Sequence, residues 1–277
     1  MNADDSATGP AGLAGLEHVP GVAKPDPVVV ATGVQRTFGG LHAVDVDHLE
    51  IQRGCITSLI GPNGAGKTTL FNLLTGFDRI DAGSYSLHGN QIVGIPAFKV
   101  ARQGMVRTFQ LTKSLARLTV LENVMTAAPD HRGESLLGAV LGGWRGKEDE
   151  IEASARALIE RFGMAHMLDE YAGGLSGGQR KLLEMARALM VDPDVVMLDE
   201  PMAGVNPALT QSLLSHITSL RDDDGRTVIF VEHDMDVVQE ISDWVVVLGN
   251  GRVIAEGPPA AIAKNPDVIA AYLGGAA

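Results

Sequence analysis

Gly61-Pro62-Asn63-Gly64-Ala65-Gly66-Lys67-Thr68 meets the pattern G-x-x-x-x-G-K-[ST] at every fixed position. The apolar run Ile56-Thr57-Ser58-Leu59-Ile60 precedes it and the helix-like run Thr69-Leu70-Phe71-Asn72-Leu73-Leu74 follows it. In such a strand–loop–helix setting, glycines let the backbone wrap closely round an anion. Successive N–H groups and the positive end of the helix dipole then face that anion. Lys67 is placed to reach the β- and γ-phosphates, and Thr68 offers a hydroxyl to Mg²⁺, a cation that prefers oxygen ligands and water. The stretch therefore reads as a phosphate-binding loop for a nucleoside triphosphate rather than as a glycine-rich turn ahead of a core helix.

Working outward, Val28-Val29-Val30 opens a strand, and Ala43-Val44-Asp45-Val46-Asp47-His48-Leu49-Glu50-Ile51 alternates as a half-buried strand does. With the turn at Gly39-Gly40 between them, an antiparallel β-layer leads into the loop strand. Phe38 lies in that connection; it can stack on an adenine ring or sit as an ordinary core aromatic. Pro96 suits the first turn of a helix. Met105-Val106-Arg107-Thr108-Phe109 reads as a strand ending at Gln110, whose amide oxygen can face Mg²⁺ or the attacking water. Residues 115–174 change character. Leu121–Ala127 behind Thr119 and Lys147–Phe162 have helical spacing, and 129–147, with Trp144, are loop-like. This is a helical insertion between two α/β halves.

A second anchor is Leu175-Ser176-Gly177-Gly178-Gln179-Arg180-Lys181. Ser176 can cap the helix that follows, and the same helix start, with Ser176, Gly177, Gly178 and Gln179, is a second anion-binding surface. One nucleotide cannot easily use both anion sites of a compact chain, whereas a dimer that combines loops from two copies can. Val195-Val196-Met197-Leu198-Asp199-Glu200 is a strand buried on both faces, hence part of a sheet covered by helices. At its end Asp199 can hold Mg²⁺ through water, and Glu200 can polarise the water that attacks the γ-phosphate. Thr227–Val231 is another buried strand, ending at Glu232-His233-Asp234, where His233 can hydrogen-bond the γ-phosphate. A last hairpin (245–255) and two short helices close the chain.

Composition bounds the rest. The 277 residues carry a net charge of −12, against a nucleic-acid-binding surface, which needs a basic face. The one cysteine, Cys55, sits in an apolar run and suits a reducing compartment. No apolar stretch approaches the ~20 residues of a membrane span, and the acidic start lacks a secretory n-region. Residues 1–27, rich in Ala, Gly, Pro and Asp, read as a disordered or loosely attached extension. A soluble, cytoplasmic protein is expected, able to sit on a membrane through partners.

In this order, Gly61–Thr68, Gln110, Leu175–Gln179, Val195–Glu200 and His233 resemble the nucleotide-binding subunit of an ABC transporter, over about residues 28–274. The resemblance implies an α/β P-loop NTPase fold: a RecA-like core, an antiparallel β-subdomain and a helical subdomain. It implies ATP with Mg²⁺, held between two ATPase subunits in a homo- or heterodimer. Gly61–Thr69, including Thr69, of one copy would face Ser176–Gly178 of the other. Glu200 would be the general base, Gln110 the sensor of γ-phosphate and Mg²⁺, His233 the γ-phosphate switch, and Phe38 the adenine platform. Many members carry Asp after the catalytic Glu where this chain has Asn206, which keeps hydrogen bonding without charge.

Phe38-Gly39-Gly40-Leu41, Leu74-Thr75-Gly76-Phe77, Val106–Gln110, Glu232-His233-Asp234-Met235 and Asn265–Gly274 are similar to ATPase subunits of branched-chain amino-acid importers, and the insertion at 129–147 to the larger of their two ATPase types. Membrane permease subunits, and indirectly a solute-binding protein, would be the partners, placing the chain on the inner face of the membrane. Urea, amide and lipopolysaccharide transporters share part of the pattern. A soluble ABC ATPase or a non-hydrolysing nucleotide-binding module are the competing classes; the first usually carries coiled coils or two cassettes, and Glu200 with His233 weighs against the second.

Overall fold

The computed structural model describes residues 12–108, 115–129 and 145–274. Phe109, Gln110 and Trp144 lie outside them. The chain divides into two compact units, residues 1–100 with 218–277, and residues 101–217. In chain order the elements are β1 (Pro27–Phe38), β2 (Leu41–Gln52), β3 (Ile56–Ile60), α1 (Lys67–Leu74), β4 (Ala82–Leu87), β5 (Asn90–Gln91) and α2 (Ala97–Arg102). There follow β6 (Met105–Arg107), α3 (Val120–Met125), α4 (Arg145–Arg161), α5 (Gly177–Leu189), β7 (Val195–Asp199) and α6 (Pro207–Asp222). Last come β8 (Thr227–Val231), α7 (Met235–Ile241), β9 (Trp244–Gly249), β10 (Arg252–Gly257), α8 (Pro259–Ile262) and α9 (Pro266–Gly274).

The first unit holds two sheets. One is antiparallel in the order β2-β1-β4-β5. Its long hairpin runs from Pro27↔Gln52 to Phe38↔Leu41, so the alternation of β2 places Val44, Val46, Leu49 and Ile51 in the core. In the other, β3 lies between β8 and β9, parallel to both, with β10 antiparallel at the edge of β9. Every residue of β3, β8 and β9 is buried. That is why β8 and β9 read as near-continuous apolar runs rather than alternating ones, while β3 also buries Thr57 and Ser58. Leu70, Phe71, Leu73 and Leu74 of α1 pack into the same core. Cys55 is 1% exposed, and burial pushes its thiol up to about 12, which keeps it an inert packing group.

The first 27 residues need a correction from residue 12 onward. The segment expected to hang loosely is tied to β10 by a buried carboxylate. Glu256 accepts from the N–H groups of Gly21 (2.5 Å) and Val22 (3.1 Å), from Lys24 Nζ (2.7 Å) and from Trp244 Nε1 (2.9 Å). The Lys24 and Glu256 side chains are 1% and 0% exposed, and the Lys24 ammonium lies 4.6 Å from the centre of the Trp244 ring. Four donors on one carboxylate compensate its loss of water. The composition of the segment carries no trace of this, because the partner is more than 200 residues away.

The second unit pairs β6 with β7 in parallel, from Met105↔Val195 to Arg107↔Met197. Its helices α3, α4 and α5 pack on one another. Thr119 and Glu122 close a capping box on α3, as the Thr119 signal predicts. Most of the expected 129–147 loop lies outside the described residues, and α4 begins at Arg145, two residues before its expected start.

Glu256→Ala would strand a buried ammonium. It is expected to lower the unfolding free energy by roughly 3–5 kcal/mol, and Lys24→Met with Glu256→Met to recover most of that loss. Urea denaturation of the three proteins checks both, and a loss below about 1 kcal/mol in the single mutant would mean the latch is not holding the segment.

Candidate functional site

The phosphate loop belongs to the first unit, between β3 and α1. Two of its glycines are there because nothing else fits. A Cβ on Gly61 would lie 2.1 Å from the carbonyl oxygen of Leu248, and one on Gly66 would lie 2.2 Å from that of Ala43, with φ at +145° and +97°. Ala65 accepts from the N–H of Gly251 (3.0 Å), which fastens the loop to the β9–β10 turn. Gly66 caps α1 with no side-chain hydrogen bond. A helix start with no side-chain cap is an end that an anion can complete. Asn63, Gly64 and Thr68 are exposed, Pro62 half-buried and Ala65 buried. Lys67 Nζ folds back on its own loop, donating to the carbonyls of Gly61 (2.7 Å) and Pro62 (2.9 Å).

The same unit carries His233 and Phe38. His233 follows β8 with a side chain 70% exposed, and its backbone N–H reaches the buried Glu232 carboxylate at 3.3 Å. Phe38, at the end of β1, is 46% exposed, with the Arg36 guanidinium 4.5 Å from its ring centre. It is thus an exposed aromatic with a cation on one face, not a core residue.

The second unit carries the carboxylates and the second anchor. Asp199 ends β7, 2% exposed. Its Oδ2 accepts from Arg107 Nη2 at 2.5 Å, and the two side chains are 3% and 4% exposed. The sequence reading missed this pair. The available signal was a charged residue at the end of a short strand that pairs with a wholly apolar one. Glu200 follows with φ +46°, in a conformation that costs a β-carbon-bearing residue about 1–2 kcal/mol. Its carbonyl accepts from the buried Lys181 Nζ (3.2 Å) and from the N–H of Ala203 (3.1 Å). Lys181, on α5, was likewise quoted in the motif and given no role.

Ser176 caps α5 as expected, in a full capping box. Its Oγ accepts from the N–H of Gln179 (3.3 Å) while Gln179 Oε1 accepts from that of Ser176 (2.8 Å). That leaves the N–H groups of Gly177 and Gly178 for an outside acceptor. Gly178 packs closely on Leu209, whose Cδ1 would lie 2.6 Å from a Cβ there and would have to move. Asn206 accepts from the N–H of Leu209 through Oδ1 (3.0 Å), so its side chain caps α6. Gln110 lies outside the described residues.

Among the described residues no cluster of three or more His, Cys, Asp or Glu forms a metal cage. In the first unit the hard oxygen donor at the loop is the Thr68 hydroxyl, and a single protein oxygen fits Mg²⁺ that arrives with phosphate oxygens and keeps its waters. In the second unit the hard donor is the buried Asp199 carboxylate.

Comparison with known proteins agrees with this chemistry. Residues 44–203 match the ABC transporter family, and residues 252–277 match the branched-chain amino acid ATP-binding cassette transporter family. The chain is 41% identical over 247 residues, 89% of its length and 95% of the relative's, to the probable branched-chain amino acid transport ATP-binding protein LivG of Archaeoglobus fulgidus. It is 41% identical over 250 residues, 90% and 98% of the two chains, to the high-affinity branched-chain amino acid transport ATP-binding protein BraF of Pseudomonas aeruginosa. Among solved structures, a nucleotide-free ATP-binding cassette from an ABC transporter superposes with TM-score 0.77 at 35% identity, covering 88% and 97% of the two chains. An ATP-binding cassette of an ABC transporter in its ADP conformation gives 0.78 at 34%, covering 90% and 99%.

Arg107→Ala is expected to destabilise the protein by roughly 3–5 kcal/mol, because it leaves Asp199 buried without its cation. Adding Asp199→Ala should return part of that stability. Denaturant titrations of both check it, and a double mutant no better than the single one would show that the pair is not the cause.

Proposed function

Because the chain belongs to the ABC transporter family, as an ATP-binding subunit, we propose that it hydrolyses ATP to drive import of branched-chain amino acids through separate membrane permease subunits. The observation that carries the chemistry is the phosphate loop, with its tight glycines, a helix start that no side chain caps, and Lys67. The observation that carries the substrate class is the 41% identity, over about nine-tenths of the chain, to a branched-chain amino acid transport ATP-binding protein.

In this reading the N–H groups from Asn63 to Thr69 and the Lys67 ammonium hold the β- and γ-phosphates. Lys67 exchanges the loop carbonyls for phosphate oxygens. Phe38 supports the adenine ring with its exposed face. Thr68 and Asp199 are the residues that would hold Mg²⁺, which would supply neutralisation of phosphate charge. Glu200 accepts the proton of the attacking water as oxygen bonds to the γ-phosphorus. The bond to the β–γ bridging oxygen breaks, and its electron pair leaves with ADP. His233 donates to the γ-phosphate, and Gln110 senses it and Mg²⁺.

The N–H groups of Gly177 and Gly178, together with Ser176 and Gln179, are assigned to the nucleotide of a second ATPase subunit, the same chain or a relative of it. No described helix is long and apolar enough to cross a membrane. Contact with the bilayer is therefore assigned to the permease subunits, at its inner face, and recognition of the solute to a separate solute-binding protein.

Glu200→Gln is expected to bind ATP, accumulate as a nucleotide-bound dimer by light scattering, and release phosphate at least 100-fold more slowly, the scale of losing a general base. Wild-type turnover in that mutant would remove Glu200 from the role. Vesicles containing the chain and its permeases, with the solute-binding protein outside, should take up labelled leucine only with ATP inside; uptake of a different solute class alone would sink the substrate assignment.

A further inference from the structure

The phosphate loop has a partner that comes from the far end of the chain. The N–H of Gly61, the first residue of the loop, donates to the hydroxyl of Tyr272 at 2.9 Å across 211 residues of sequence. Gly61 lies just beyond the β3 ladder, which pairs through Ile60↔Val247. Its own carbonyl already accepts from Lys67. Leu248 leaves no room for a side chain there. Gly61 is buried, so its N–H needs an acceptor, and Tyr272 supplies it.

The helix that carries Tyr272 is itself held. Asn265 Oδ1 accepts from the N–H groups of Asp267 (2.9 Å) and Val268 (3.3 Å) at the start of α9. Val268 is 5% exposed and lies one turn before Tyr272, so the two share a face. On the outside, Ile269 and part of the Tyr272 ring are exposed, at 47% and 38%. The arrangement is a lever: a capped helix, a buried anchor, and a hydroxyl on the first peptide of the loop.

We propose that Tyr272 is a positioning residue for the phosphate loop, and that α9 sets nucleotide affinity through its hydrogen bond to Gly61. The proposal rests on the reading of this loop as the ATP site. Tyr272 touches neither nucleotide nor water in this scheme. It holds the entry peptide so that the N–H groups further on keep their common direction, which lowers the ordering cost of binding.

The test compares wild type with Tyr272→Phe, which keeps the ring and removes only the acceptor, in the full-length protein. Hydrogen exchange of the peptide spanning Gly61, measured without nucleotide, should speed up about five- to tenfold, the factor one ordinary hydrogen bond carries. Affinity for a fluorescent ATP analogue with Mg²⁺ should fall by a similar factor. KM for ATP should rise while kcat at saturation holds. A purely structural tyrosine would instead lower the melting temperature and leave KM alone. Val268→Ala, which loosens the anchor and keeps the hydroxyl, should move affinity in the same direction. Unchanged Gly61 exchange and unchanged affinity in Tyr272→Phe would overturn the proposal. If wild type itself binds no ATP, the ATP reading fails on its own, and the exchange measurement still decides the hydrogen bond.

Discussion

Two carbonyl groups, of Leu248 and Ala43, stand where the side chains of Gly61 and Gly66 would have to be. The phosphate loop depends on that close approach, and much of the first unit serves it. Leu248 is presented by β9 and Ala43 by β2. The turn between β9 and β10 reaches both neighbours: Gly251 donates to Ala65 in the loop, and its carbonyl accepts from the N–H of Asp45 on β2. Arg252 Nε then pairs with the Asp45 carboxylate (2.9 Å), which it and Gln35 hold below the ordinary carboxylate range. A loop that offers its N–H groups to an anion can satisfy few of them internally, as Ala65 does on the Pro62 carbonyl (3.2 Å). Its shape is therefore fixed from outside, by backbone contacts that a side chain at either glycine would break.

The motifs that the sequence exposes are those whose parts lie close together along the chain. The phosphate loop, the Ser176–Gln179 capping box, the Thr119 cap and the apolar strands β3, β7 and β8 all follow from local rules, and their elements stand close to the expected positions. What stayed hidden was long-range pairing. Lys24 with Glu256 and Arg107 with Asp199 look like solvated charges until the topology joins them. Tyr272 looks like an ordinary aromatic in a terminal helix. Phe38 fits a core or an exposed platform by sequence, and its place in the last pair of the β1–β2 hairpin, 46% exposed, decides for the surface. Asn206 shows a local rule overlooked: Asn before Pro and a helix is a cap, which accounts for that residue before any further role is sought.

An acidic protein that holds triphosphate has to separate its net charge from its site. The charge of −12 is counted over all residues, but two of the carboxylates most relevant to structure are each paired with a cation. Glu256 is sealed against Lys24, and Asp199 against Arg107. At the loop the favourable field comes from backbone dipoles and one ammonium, at contact distance, where solvent screening is weakest. Global charge then governs solubility and argues against nucleic acid, while local dipoles govern the anion.

The second unit applies the same economy to Glu200. The Glu200 carbonyl accepts from a lysine of the helix that Ser176 caps, so the N-terminal end of α5 has two tasks. Its start presents the N–H groups of Gly177 and Gly178. One turn further on, Lys181 grips the carbonyl of Glu200. A helix is stiff over that distance, so a small displacement of its start is transmitted to the peptide that aims the carboxylate. If the start of α5 meets the nucleotide of a second subunit, engagement of the partner and alignment of the base become one event. Lys181 stands between the start of α5 and the Glu200 peptide, so closure and hydrolysis would share that contact.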